Sequence, residues 1–242
     1  MLEFIDVTKT YGGVKALEAI SFKLENGEFV FVTGPSGAGK TTLLRLILRE
    51  TLPDSGKILI DGEEITKLKS RKIPGLRQQI GVVFQDFKLL TERTIWENIE
   101  IALAVIGLSK NEWKARVAHV LTLVGLSERA RFFPLQLSGG ELQRASLARA
   151  LVVNPKIILA DEPTGNLDWE TADSLMDLFE AINKEGKTII MATHNKLIID
   201  KMGKRVIKLN GGRLIDHKIN HKKESKVKET EKEKENKVKV QI

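Results

Sequence analysis

Apolar side chains change their spacing several times along the chain, and each change marks an element. "LEFIDV" (2–7) and "ISFKL" (20–24) alternate apolar with polar positions, the period of half-buried strands. "EFVFVTG" (28–34) is a more apolar strand that runs straight into a glycine-rich loop, and "TTLLRLILRE" (41–50) has helical spacing. "DSGKILIDG" (54–62) reads as turn, strand and turn, and "QIGVVFQ" (79–85) as a buried strand ending at Gln85. From Thr94 the spacing becomes helical. Thr94 with Glu97, and Ser109 with Glu112, have the separation of a capping box. Trp113, Val117, Val120, Leu121 and Val124 share one helical face. Residues from about 87 to 137 are thus predicted as a mostly helical insert. Beyond it, "KIILADEP" (156–163) predicts a strand, "WETADSLMDLFEAINKEG" (169–186) a helix, "TIIMATH" (188–194) a strand and "RVIKLNGGRLI" (205–215) a terminal hairpin. This order of strands and helices predicts an α/β sheet core, with no internal repeat.

One stretch of the insert is apolar on more than one face. Ile95, Ile99, Ala102 and Ile106 make a helical stripe, while Trp96, Ile101, Leu103 and Val105 lie outside it. Phe87, Leu89 and Leu90 add three more apolar side chains just after Gln85. One reading is a helix buried on most sides in its own domain. The other is an exposed cluster that marks a partner site, since so small an insert has difficulty packing all of them inward.

Composition narrows the chemistry. The 242 residues suffice for one large domain, and there is no cysteine, which excludes disulfides, thiolate chemistry and cysteine metal sites. Four histidines argue against a multi-histidine centre. No apolar run approaches the roughly 18 residues of a membrane span; "IALAVIGL" (101–108) stops at eight. "MLEFIDV" has an acid where a signal peptide wants Lys or Arg, so the protein is expected to stay in the cytoplasm. Of the net charge of +7, residues 217–242 carry +4, from nine Lys and five Glu, leaving +3 for the rest. The charged tail is expected to be a solvated extension, and the weakly basic remainder argues against nucleic acid as a partner.

The candidate chemistry begins in "GPSGAGKTT". Gly34, Pro35, Ser36, Gly37, Ala38, Gly39, Lys40, Thr41 and Thr42 fill the pattern G-x-x-x-x-G-K-[ST] between a predicted strand and helix. The glycines let backbone N–H groups face a β-phosphate, the helix start adds its dipole, Lys40 reaches β- and γ-oxygens, and Thr41 can hold Mg²⁺. "IILADE" delivers Asp161 and Glu162 at a strand's C-terminal end. Asp161 is placed to hold Mg²⁺ through water, and Glu162 to orient or deprotonate an attacking water. Alone, two such acids are a solvated strand end. The Gln85 amide can sense Mg²⁺ or the lytic water, and His194 can bond a γ-phosphate, although a turn glutamine and a strand-capping histidine look the same. Tyr11 can stack on a base or be an ordinary loop tyrosine. A second glycine loop, Ser138, Gly139 and Gly140 in "LSGGE", opens another helix; Ser138 and Glu141 have capping-box spacing.

Together these segments resemble the nucleotide-binding subunit of the ATP-binding cassette (ABC) proteins, over residues 1 to about 216. "GPSGAGKTT" resembles the Walker A motif, "IILADE" Walker B, Gln85 the Q-loop, "LSGGE" the signature, "GNLD" (165–168) the D-loop, and His194 the switch histidine. The resemblance implies a P-loop NTPase α/β fold with an antiparallel β subdomain and the helical insert. It also implies ATP and Mg²⁺ as cofactors, with Thr41, Gln85 and Asp161 toward the metal, Glu162, His194 and Gln85 catalytic, and Tyr11 stacked on the base. In that family two copies form a head-to-tail homodimer on binding ATP, so Ser138, Gly139 and Gly140 would serve the partner's nucleotide; Asp168, in the D-loop, is implied as a further nucleotide-binding residue.

"DEPTGNLD" (161–168) resembles the group that includes lipoprotein-release, macrolide-export and cell-division ATPases, and "KSRKIPGLRQQIGVVFQDFKLLTERTIWENI" (69–99) its cell-division members. That implies a peripheral protein on the cytoplasmic face of the membrane, whose partner is an FtsX-like integral membrane protein that activates cell-wall hydrolases. The alternative is the ATPase subunit of a lipoprotein, lipid or drug transporter. Two residues depart from the family pattern: Glu141 stands where glutamine is usual, and Asn195 where aspartate is usual.

Overall fold

The computed structural model describes residues 1–104, 106 and 110–218. In chain order its elements are β1 (Leu2–Tyr11), β2 (Val14–Leu24), β3 (Phe29–Thr33), α1 (Lys40–Ile47), β4 (Ser55–Ile60), β5 (Glu63–Glu64), α2 (Ile73–Gln78), β6 (Ile80–Phe84) and α3 (Ile95–Ala104). Then come α4 (Lys110–Leu123), α5 (Gly139–Leu151), β7 (Ile157–Asp161), α6 (Trp169–Lys184), β8 (Thr188–Ala192), α7 (Lys196–Met202), β9 (Arg205–Asn210) and β10 (Arg213–Lys218).

Two sheets form. One is antiparallel, in the order β2-β1-β4-β5; the other runs β10-β9-β3-β8-β7-β6, parallel except for the β10 edge. The period of two along β3 divides the core. Val30 and Val32 face the antiparallel sheet and α1, joining Leu2, Phe4, Leu17, Leu43 and Ile47. Phe29 and Phe31 face the helices, joining Ile95, Ile99, Val117, Leu147 and Phe179. In β1 the alternation slips: Leu2 and Phe4 are buried, but so is Val7. Asp6 and Ala19 have positive φ (48° each), and the β1–β2 register shifts between Phe4 and Val7, so a bulge resets the inward face. The terminal hairpin does not stand apart, because β9 pairs parallel with β3 and so joins it to the main sheet.

The helical insert follows its predicted pattern in part. Thr94 and Glu97 close their capping box: Glu97 accepts from the Thr94 N–H at 2.8 Å and Thr94 Oγ1 accepts from the Glu97 N–H at 3.2 Å. Val117, Val120, Leu121 and Val124 are buried and Trp113 partly so. In α3, however, the inward row is Ile95, Ile99 and Leu103, spaced by four. Ala102 and Ile106, expected in that row, are half-buried, while Ile101 is exposed. The reason is packing on two sides: α3 lies against both α5 and α4, which draws the helix's i, i+4 ridge inward. The helix α2 was not predicted, although Pro74 near its start suits a first turn. Ser109, Val105, Gly107 and the tail from residue 219 lie outside the described residues. Among the described residues, no helix is long and apolar enough to cross a membrane.

Candidate nucleotide-binding site

The C-terminal ends of β3, β6 and β7 and the N-terminus of α1 converge on a cavity of about 590 Å³, lined by Ser36, Gly37, Ala38, Gly39, Lys40, Thr41, Thr42, Gln85, Asp161 and Glu162. The lining also includes Ala16, Phe84, Asp86 and Asn166, which the sequence reading did not single out. The loop's shape requires its glycines. A Cβ on Gly34 would sit 2.3 Å from the Leu209 carbonyl oxygen; one on Gly39, whose φ is +103°, would sit 2.4 Å from that of Ala16. Lys40 Nζ donates to the carbonyls of Gly34 (2.8 Å) and Pro35 (3.3 Å), so the loop folds around its own cation.

Across the cavity Thr41 Oγ1 donates to Asp161 Oδ2 at 3.0 Å. Burial raises the Asp161 carboxyl above the usual aspartate value, and the Thr41 bond offsets this only in part. Strand β7 ends at Asp161, and Glu162 takes a left-handed φ of 48°, which turns its side chain out of the strand's alternation. Its Oε1 lies 2.8 Å from His194 Nδ1, while its N–H still bonds the Ala192 carbonyl on β8. Gln85 and Asn166 hold each other: Gln85 Nε2 donates to Asn166 Oδ1 (3.3 Å), and Asn166 Nδ2 to the Gln85 carbonyl (3.1 Å). The only sequence signal for Asn166 was its place in "GNLD".

Other predicted residues stand outside this lining. Gly34 and Pro35 adjoin it through their bonds to Lys40, and His194 through Glu162, whereas Ser138, Gly139, Gly140 and Asp168 do not line the cavity. Ser138 caps α5 and Asp168 caps α6 by accepting from the Thr171 N–H at 2.9 Å. Gly140 is small for a packing reason as well, since a Cβ there would come within 2.3 Å of the Thr171 methyl. Tyr11, at the end of β1, also lies outside the lining; it is exposed, with Lys9 Nζ 5.3 Å from its ring centre. Asn195 caps α7, accepting from the Ile198 N–H. Chemically, the cavity offers a ring of backbone donors, one lysine, a hydroxyl beside a carboxylate, and a second carboxylate backed by an imidazole.

The family model "ABC transporter" matches residues 17–165. Over 216 residues the chain is 51% identical to the cell division ATP-binding protein FtsE of Bacillus subtilis, covering 89% of this chain and 95% of that one. The FtsE of Escherichia coli K12 is 46% identical over 215 residues, covering 88% and 97%. Among solved structures, the dimeric structure of MJ0796, a bacterial ABC transporter cassette, superposes with a TM-score of 0.82 at 37% identity, covering 90% of this chain and 98% of that one. A second dimeric structure of MJ0796, in a post-hydrolysis state bound to ADP and Pi, gives the same TM-score at 36% identity and the same coverage.

Proposed function

The chain belongs to the ABC transporter family, and from that premise we propose that it hydrolyses Mg-ATP between two head-to-tail copies of itself and couples the cycle to an FtsX-like integral membrane protein in cell division. The observation that carries hydrolysis is Glu162: a carboxylate lining the same cavity as the phosphate loop, with His194 Nδ1 against it at 2.8 Å.

Each residue's part follows from its position. Lys40 exchanges the Gly34 and Pro35 carbonyls for phosphate oxygens, and the N–H groups from Gly37 to Thr42 cradle the β-phosphate. Thr41 Oγ1 and Asp161 Oδ2, two hard oxygens side by side, fit a magnesium ion that takes few protein ligands and leaves its other positions to water and phosphate. Bound there, magnesium would neutralise charge on the transferring phosphoryl group. Glu162 accepts the proton of the attacking water, and His194 keeps that carboxylate in place and faces the γ-phosphate. Gln85, released from Asn166, reaches toward metal and water. Ser138, Gly139 and Gly140 present a hydroxyl, bare N–H groups and a helix start to the ATP held by the other copy, with Asp168 beside them. Tyr11 swings from Lys9 to the base. In this reading the ATPase unit spans 1–216, with 87–137 as its insert, and sits at the cytoplasmic face of the membrane.

Glu162→Gln keeps the shape and removes the charge. Turnover of the purified protein should fall by about 10²–10⁴-fold while ATP stays bound and ATP-dependent dimers accumulate. Turnover near that of the parent contradicts the assignment.

A further inference from the structure

Glu141, where the family signature usually has glutamine, has two partners. Its Oε2 accepts from the Ser138 N–H and from Ser138 Oγ, each at 2.9 Å, and its Oε1 accepts from Arg129 Nε at 2.9 Å. Arg129 ends the short helical turn Ser127–Arg129 that follows α4. It is set in place from two sides. Its guanidinium carbon lies 5.0 Å from the centre of the Phe132 ring, and the next residues are tied to the start of α3, with the Ala130 carbonyl accepting from Trp96 N–H and the Phe132 carbonyl from Ile95 N–H, both at 2.8 Å.

Capping alone does not call for this arrangement, since a neutral glutamine at the same position can reach back to the serine N–H equally well. A neutral amide oxygen can accept from the Ser138 hydroxyl as well. What a carboxylate adds is a negative charge at the helix start where, on the function proposed above, a phosphate of the second copy's ATP arrives.

We propose that Arg129 is a positioning residue of that phosphate clamp: by holding Glu141 it neutralises the carboxylate, so that the terminal phosphate of the ATP bound by a second copy of this chain can approach and draw the Ser138 hydroxyl to itself. The inference rests on the reading of Ser138 as acting in trans. In the state described here the hydroxyl donates to Glu141 with Arg129 already in place; as the second copy closes, the O–H rotates to donate to a phosphate oxygen instead, and the Arg129–Glu141 pair remains behind it. Without Arg129, Glu141 repels the phosphate.

The test uses the full chain carrying Glu162→Gln and measures, by sedimentation, the ATP concentration that gives half-maximal dimer. Arg129→Leu should raise that concentration about fivefold, the upper range for a partly exposed ion pair. Glu141→Gln should leave it unchanged or lower it, and Glu141→Gln added to Arg129→Leu should restore it. A double variant as weak as Arg129→Leu alone means that Arg129 only packs the loop, and overturns the proposal. Ser138→Ala keeps the two layers of argument apart. If it weakens the dimer while Arg129→Leu does not, the role of Arg129 is wrong and the trans clamp stands. If Ser138→Ala leaves the dimer intact, the trans clamp is wrong and the role of Arg129 falls with it.

Discussion

At the scale of single residues, what was legible is what sits together in the chain. Gly34 to Thr42 form a contiguous pattern, and Asp161 and Glu162 end one apolar run, so their roles could be read without knowing the fold. What was not legible depends on contacts far apart in sequence or on backbone angles. Asn166 meets Gln85 across 81 residues, and nothing in "DEPT" announces that Glu162 adopts a left-handed φ. Asp161 yields a prediction of its own. Burial raises its carboxyl above the ordinary value, so the ionised form is disfavoured in the nucleotide-free fold. The raised value of an acid means a cost that is present at neutral pH and is relieved as pH falls through the folded-state value. Asp161→Asn should therefore raise the nucleotide-free melting temperature at neutral pH, with the advantage shrinking on acidification. The same change should lower Mg-ATP turnover by about 100-fold or more, the order expected when several kcal/mol of metal-borne charge stabilisation is lost. A variant less stable than the parent at neutral pH would contradict the burial argument.

At the scale of elements, spacing located α1, α3, α4 and α6 but not α2 or α7, and it did not fix which face turns inward. The stripe chosen for α3 missed Leu103 because the inward face is set by α4 and α5 together, a tertiary fact that periodicity does not contain. Nor does periodicity single out Asn98, which is fully buried. Its amide donates to the carbonyls of Leu90, Arg93 and Thr94, and its Oδ1 accepts from the Leu90 N–H at 2.7 Å, so it clamps the loop after Gln85 onto α3. Asn98→Leu strands those groups in a dry interior and should cost about 3 kcal/mol in urea unfolding. A cost under about 0.5 kcal/mol would contradict its role as a clamp. The exposed apolar cluster expected beside Gln85 is present in altered form. Leu90 is exposed, but Phe87 and Leu89 are half-buried, and the Phe87 and Lys88 carbonyls, on two residues of positive φ, both accept from Arg149 on α5. The open apolar surface is instead a cavity of about 560 Å³ lined by Val82, Phe84, Ile101, Ala102, Ile106 and Val153. If a cytoplasmic helix of the membrane partner docks there, Ile101→Glu should lose that partner in pull-downs from detergent extract while ATPase activity is retained. Undiminished recovery would show that the dock lies elsewhere.

At the scale of the whole molecule, the order of strands and helices sufficed to predict an α/β core, but not which strands neighbour which. The sheet order β10-β9-β3-β8-β7-β6 places Thr33, Phe84 and Asp161, up to 128 residues apart in sequence, at one end, where the cavity forms. Two arginines then fasten the antiparallel sheet to the larger one: Arg213 on β10 pairs with Glu18 on β2 at 2.8 Å, and Arg205 on β9 donates to the Lys23 carbonyl on β2 at 2.9 Å. In a single copy assembled in this way the signature serine, Ser138, does not line the cavity of the phosphate loop. The central claim is that a second copy joins them around ATP, and the absence of cysteine lets it be measured directly. One preparation carries Ser36→Cys and the other Ser138→Cys, both with Glu162→Gln, and the two are mixed and treated with a short bis-maleimide. The account predicts a two-chain product that requires ATP and both preparations, with little product from either alone. ATP-bound protein that forms no such product, or that links Ser36→Cys chains to one another instead, would contradict it.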